Sequence, residues 1–329
     1  INISLGGNWG PHIGNMPKDK FVDAELNDDD ERVVVGTTGN DNRLGDALGR
    51  GDGFRTGTLP GSNSVVFTMT SNFPAPGDDI TVDIWYTGPA LEFRLELDGG
   101  QTDVPGSYTA ANSTFHGNLG AYRVDVWRQH DTEASMRQLR IDVDSAQNVD
   151  PLTIELNNPG TTDVVYYALV CSQAWRANLS GASNNWWTLS ANACCRSMLT
   201  VGACGKVNPP APASGEVITA YSGAGPTIDG RVKPEIVAIG GAAGGLITSA
   251  DSTPGNDWTT MSGTSMAAPL VTGSVALLLE AARLQGFSPN HDTIKALLAN
   301  HANRTGINID PSAGGYIDTE RNLYGYGRL

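Results

Sequence analysis

Two hydrophobic periodicities divide the chain. Ile1-Asn2-Ile3-Ser4-Leu5-Gly6-Gly7 and Val33-Val34-Val35-Gly36-Thr37-Thr38-Gly39-Asn40 are short β-branched runs ending in glycine. That is the pattern of buried parallel strands that stop at one edge of a sheet. Across residues 54–180 the period becomes two. Val65–Met69, Ile80–Tyr86, Leu91–Leu97, Tyr122–Trp127, Leu139–Val143 and Val164–Leu169 mostly alternate apolar with polar, separated by Gly, Pro, Asn and Asp. Such runs predict antiparallel strands with one wet face each, and enough of them predict a β-sandwich. Leu199-Thr200-Val201-Gly202-Ala203 then reads as a buried strand of the first kind. From Leu270 to Leu279 the chain is apolar on nearly all sides, predicting a helix buried in a large core, with Gly286 as its stop. Ser288-Pro289 predicts an N-cap and first residue for another helix, on which Ile294, Leu297, Leu298 and His301 share a face.

The chemistry concentrates where the buried helix begins. Met261-Ser262-Gly263-Thr264-Ser265-Met266-Ala267-Ala268-Pro269 sets a serine at a helix N-terminus among small residues that let a substrate backbone approach. A serine hydroxyl is a weak nucleophile unless a base takes its proton and developing negative charge has somewhere to go. Unpaired N–H groups and the positive end of a helix dipole supply the second requirement. This run resembles the nucleophile motif of the subtilisin-like serine proteases, the subtilases.

Other segments carry the same resemblance in the same order. Tyr221–Ala238 is similar to the subtilase stretch before the serine loop, with Ala224 where the family usually has arginine. Leu270 stands where subtilisins commonly have a histidine that is not the catalytic one. Tyr324-Gly325-Tyr326-Gly327 is similar to the end of subtilase domains. The resemblance implies substrate binding along Ser4, Leu5 and Gly6, and an oxyanion hole built from the Asn40 side chain and the Ser265 N–H, with Thr264 in support. Gly36, Thr37 and Thr38 are expected near the first specificity pocket.

The implied fold is α/β: a subtilisin-like parallel-sheet three-layer domain, incomplete at its N-terminus, with an inserted antiparallel β-sandwich. The insert resembles the jelly-roll-like domain of the clostridial spore-germination proteases. Residues 1–53 and 181–329 would form the two parts of the subtilase domain, and 54–180 the insert.

Two expected motifs are missing: an aspartate in Asp-Thr-Gly or Asp-Ser-Gly, and a histidine in His-Gly-Thr-His. The chain has 5 histidines, His12, His116, His130, His291 and His301, and none lies in such a setting. The expectation is therefore a preceding segment of the same precursor, joined or cleaved, that carries Asp and His and covers the open sheet. A polypeptide substrate is the other expected partner. The alternative is a pseudoprotease that binds peptide or a partner without catalysis, against which intact Ser265 and Asn40 weigh. A carbohydrate-binding insert would need Trp85 or Trp127 exposed.

Charge narrows the partners. Lys and Arg number 21 against 35 Asp and Glu, a net −14, so nucleic acid is not an expected partner. No run is read as a membrane span, and the acidity suits a secreted or cell-surface protein. No cofactor is required. Asp28-Asp29-Asp30-Glu31 is a candidate for calcium as a structural ion, against the plainer reading of a solvated loop. Cys171, Cys194, Cys195 and Cys204 lack zinc spacing and leave open either a disulfide or buried thiols. Asn112-Ser113-Thr114 and Asn178-Leu179-Ser180 match the glycosylation tripeptide.

Overall fold

A computed structural model describes residues 1–7, 10–27, 31–40, 54–71, 80–97, 115–119, 122–131, 136–144, 151–172, 177–181, 186–206, 216–241, 247–253, 255, 257–305 and 319–329. Asp28, Asp29 and Asp30 of the acidic run, and the tripeptide Asn112–Thr114, lie outside the described residues. The chain forms two units, one from Ile1–Gly45 with Trp186–Leu329 and one from Asp46–Asn185.

In chain order the first elements are β1 (Asn2–Ile3), α1 (Pro17–Asn27) and β2 (Val35–Thr37). The second unit follows with β3 (Phe54–Leu59), β4 (Ser64–Ser71), β5 (Ile80–Thr87), β6 (Glu92–Leu97), β7 (Phe115–Leu119), β8 (Tyr122–Asp131), β9 (Met136–Asp144), β10 (Leu152–Asn157), β11 (Val164–Ser172) and β12 (Ala177–Gly181). The first unit resumes with β13 (Leu199–Lys206), β14 (Glu216–Ile218), β15 (Ile236–Ile239), β16 (Ile247–Ala250), β17 (Trp258–Met261), α2 (Thr264–Leu284), α3 (His291–His301) and α4 (Thr319–Tyr324).

The glycine-ended runs do become neighbouring parallel strands. β1 pairs with β2, β2 with β13, and β13 with β15, while β14 adds antiparallel to β13. Val33, Val35, Leu199, Val201, Ala203, Ile236 and Ala238 form one buried face with Ala267, Ala268, Val271 and Val275 of α2 and Ile294 and Leu298 of α3. On the other face Val34, Met198 and Cys195 pack with Leu26 of α1, and Ile3 and Val22 join them. The sheet is thus the middle of three layers, as parallel strands buried on both faces require.

α2 departs from its expected full burial. Only Thr264, Ala267, Ala268, Val271 and Val275 are buried, while Leu270, Leu277 and Leu284 are 45%, 68% and 80% exposed. The helix lies on one side of the sheet, and among the described residues its outer face has no cover. By length and composition alone this 21-residue helix is also apolar enough to cross a membrane, although its inner stripe is seated on the sheet. α3 begins at His291 and not at Pro289. Its cap is Asn290, whose Oδ1 accepts from Thr293 N–H at 2.9 Å. Ile294 and Leu298 are buried, but Leu297 and His301 face outward.

In the second unit, one sheet has the order β12-β4-β10-β6 and the other β3-β11-β5-β9-β8-β7, each antiparallel throughout. One core including Phe67, Met69, Leu95, Ile154, Ile84, Ile141 and Tyr166 joins residues of both sheets. Here β5 breaks the one-wet-face expectation. Ile80, Val82, Ile84 and Tyr86 face the shared core, yet Thr81, Asp83 and Trp85 on its other face are buried too. Burial pushes the Asp83 carboxyl up to about 6, against hydrogen bonds from Gln138 Nε2 (2.7 Å) and Trp85 Nε1 (3.0 Å). Trp127 is 43% exposed and Trp85 only 6%.

Candidate active site

Ser265 is the second residue of α2, and its surroundings follow from what a helix start leaves unpaired. Gly263, the N-cap, has φ 156 and ψ 165, a conformation that is essentially glycine's alone. The Thr264 N–H and Thr264 Oγ1 both donate to Asn40 Oδ1, each at 2.9 Å. With its oxygen so engaged, the Asn40 amide turns its NH2 away from Thr264. Neither that NH2 nor the Ser265 N–H has a protein acceptor among the described residues. Both donors stand at one helix N-terminus, a place suited to an anionic oxygen.

Pro269 shapes the same spot from below. A proline has no N–H to return to the carbonyl four residues back, so the Ser265 carbonyl lacks its helical partner. Ser4 Oγ donates to it at 3.2 Å, and Ser265 Oγ donates to the Ser4 carbonyl at 3.3 Å. This reciprocal pair ties the end of β1 to the serine. Leu5 is exposed, and its carbonyl accepts from Thr37 Oγ1 and Asn192 Nδ2, each at 3.4 Å. A side chain on Gly6 would come within 4.0 Å of Gly39 and Ser190.

Ser4, after β1, and Asn40, after β2, thus both meet the helix start. Gly36 is set lower, where a Cβ would meet Met198 Sδ at 2.5 Å. Thr38 is buried, with its hydroxyl 3.3 Å from Ser222 Oγ and its carbonyl accepting from Ser190 N–H at 2.7 Å. No histidine is a partner of Ser265 Oγ among the described residues. His12 is buried in the loop after β1, His291 opens α3, and His301 closes it with Nδ1 2.8 Å from the Leu297 carbonyl. His116 and His130 belong to the second unit, where His116 Nδ1 meets Asp125 Oδ1 at 2.7 Å.

Family comparison decides the class. Residues 148–327 match the model of the subtilase family, Peptidase S8. The chain belongs to the subtilase family. It is similar to pyrolysin of Pyrococcus furiosus, at 43% identity over 98 residues, 30% of this chain and 6% of that protein. It is also similar to the serine protease AprX of Bacillus subtilis, at 31% identity over 140 residues, 40% of this chain and 28% of that protein. The fold of the whole chain resembles the solved structure of the Clostridium perfringens CspB protease, with a TM-score of 0.77 at 20% identity and 64% of that chain covered. This subtilase sequence therefore spans well under half of either curated relative's length.

Several contributors escape sequence reading. Tyr221 OH reaches the carbonyls of Gly240 (3.0 Å) and Gly241 (2.5 Å), and the Gly240 carbonyl accepts from Gly263 N–H at 2.8 Å. Tyr221 lies in the stretch similar to subtilases, but nothing in a one-dimensional pattern marks what its hydroxyl touches. Glu31, the described end of the acidic run, is already engaged: Arg283 and Ser288 hold its carboxylate below the usual range. Cys194 and Cys195 carry buried free thiols, pushed up to about 12 by burial.

Proposed function

We propose that this protein is a serine endopeptidase acting through an acyl-enzyme on Ser265. Ser265 Oγ adds to the carbonyl carbon of the scissile peptide, and its proton passes to a histidine that returns it to the leaving amine. Water then releases the acyl group by the reverse proton path. The Asn40 NH2 and the Ser265 N–H hold the oxyanion, and Thr264 keeps the amide turned the right way. The observation that carries this reading is the double donation from Thr264 to Asn40 Oδ1.

The substrate lies extended along Ser4, Leu5 and Gly6 by strand addition, with Thr37 bracing Leu5 and with Gly36 and Thr38 setting the floor of the first specificity pocket. The aspartate and histidine come from an N-terminal segment of the same precursor. Two features support such a partner. β1 pairs only with β2 among the described residues, leaving one strand edge open, and Ile1, Leu277 and Leu284 are each exposed. The second unit is a jelly-roll-like insert, calcium serves at most as a structural ion, and the protein works outside the cell or at its surface.

The test is hydrolysis of a peptide library by the complete protein, with Ser265→Ala as control. Cleavage that disappears in a folded Ser265→Ala variant supports the reading, and equal cleavage by both overturns it. The pseudoprotease reading has one observation in its favour: Ser265 Oγ donates to the Ser4 carbonyl and, among the described residues, to no histidine. It predicts peptide binding by the complete protein with no cleavage at all.

A further inference from the structure

We infer that Tyr221 is a positioning residue for the serine loop, holding Gly263 through Gly240 so that Thr264 and Ser265 meet Asn40 in register. The inference rests on the enzyme reading for its catalytic consequence and on geometry alone for its structural one.

The phenol stands on a rigid base. Thr219, two residues before it, is tied to the Ala203 carbonyl of β13 twice, by its N–H at 2.9 Å and its Oγ1 at 3.1 Å. Ser222, the next residue, accepts from Ala203 N–H at 2.9 Å. Tyr221 is therefore clamped to the central strand from both sides. From there its ring packs against the core between the sheet and α2, and its hydroxyl reaches the turn that leaves β15.

That turn is in close contact with the serine loop. The Gly240 carbonyl accepts from Gly263 N–H at 2.8 Å, and a Cβ on Gly240 would lie 2.7 Å from the Gly263 carbonyl. The Gly240 carbonyl that takes the Gly263 N–H also takes the Tyr221 hydroxyl, at 3.0 Å. One hydroxyl thus sits at the junction of β13, the turn after β15 and the residue that launches α2. Gly263 is where precision matters, because its glycine-only backbone sets the direction of the next two N–H groups. One donates to Asn40 and the other is left for substrate. A small rotation there would misalign both donors, and oxyanion donors act only when already in position.

A phenylalanine would keep the ring and its packing but release the Gly240–Gly241 turn. Losing one such hydrogen bond corresponds to about a tenfold effect on a step that depends on it.

The experiment uses the complete protein and Tyr221→Phe, with two measurements. Amide hydrogen exchange across 258–266 reads the hold on Gly263 without any catalysis. We expect exchange there to rise about tenfold while β13 and α3 stay protected, and unchanged exchange overturns the inference. Inactivation by a fluorophosphonate reads the chemistry. We expect the maximal inactivation rate to fall about tenfold with the inhibition constant within twofold. A rate equal to wild type overturns the positioning role, and so does a loss confined to the inhibition constant. If wild type itself is not labelled at Ser265, the enzyme reading fails and takes the catalytic half of the inference with it, while the exchange result still decides the structural half. Should Tyr221→Phe fold poorly, trifluorotyrosine at 221 keeps the hydroxyl but loses its proton at lower pH. An alkaline loss of inactivation at lower pH than wild type then supports the role, and superimposable profiles overturn it.

Discussion

Asn40 and Thr264 are 224 positions apart in sequence, yet two donors of Thr264 converge on one oxygen of Asn40. An amide whose oxygen is held twice has a fixed flip, so its NH2 direction is set before any ligand arrives. Preorganised donors of this kind need no reorganisation when charge develops.

Asn40→Ala is expected to lower kcat by about 10²- to 10³-fold with KM little changed, a size borrowed from the equivalent donor of subtilisin. Thr264→Val removes one of the two grips on Oδ1 and is expected to cost about tenfold. Steady-state kinetics on a peptide substrate separates the two. A Thr264→Val variant as impaired as Asn40→Ala would mean that Thr264 does more than orient the amide.

Ser4 and Pro269 form a coupled pair. Ser4→Ala leaves the Ser265 carbonyl without its donor and is expected to lower unfolding free energy by about 1 kcal/mol. In a Pro269→Ala background the restored N–H can satisfy that carbonyl, so the same change is expected to cost less. A double-mutant cycle by urea denaturation measures the difference, and strictly additive effects would contradict the account.

Gly240 has no room for a side chain: a Cβ would lie 2.6 Å from the Ala203 Cβ and 2.7 Å from the Gly263 carbonyl. Gly240→Ala is expected to destabilise by about 1–3 kcal/mol, as overpacking does, and to slow reaction at Ser265 as well. Thermal unfolding together with Ser265 reactivity checks both.

Asp83 gives a pH signature. Its carboxyl is at about 6 in the folded protein against an ordinary 3.8, so the folded state binds a proton that the unfolded state has already lost. Stability from this group is fully present below about pH 4, falls as pH rises toward about 6, and then stays flat, a total of roughly 3 kcal/mol. Asn at 83 can still accept from the Trp85 indole if the Gln138 amide turns over, so Asp83→Asn is expected to fold and to lack this slope. Asp19, raised to about 6 by burial, adds a slope of the same sign in both proteins. Denaturation curves between pH 4 and 7.5 for the two proteins would contradict the assignment if their pH dependences superimposed.

What could be read from sequence was what repeats or punctuates. β1, β2 and β13 were legible because β-branched runs end there in glycine, and Ser265 because small residues lead into a long apolar helix. β3 and β7 were not, because Gly57 and Gly117 interrupt them. Apolar composition cannot say how many sides of a helix are covered, so the exposure of Leu277 and Leu284 was invisible. Pro289 satisfies a first-turn rule, yet Asn290 makes the actual cap and α3 starts at His291. The Tyr221 hydroxyl and the Ser4 link to Ser265 are contacts across the fold, which no local pattern encodes.

The most direct test of the central claim is fluorophosphonate labelling of the complete, folded protein, with the adduct mapped by mass spectrometry. The account predicts a single adduct on Ser265 that forms at least a hundredfold more slowly in Asn40→Ala. A folded protein that stays unlabelled, or one labelled at the same rate without Asn40, would contradict it.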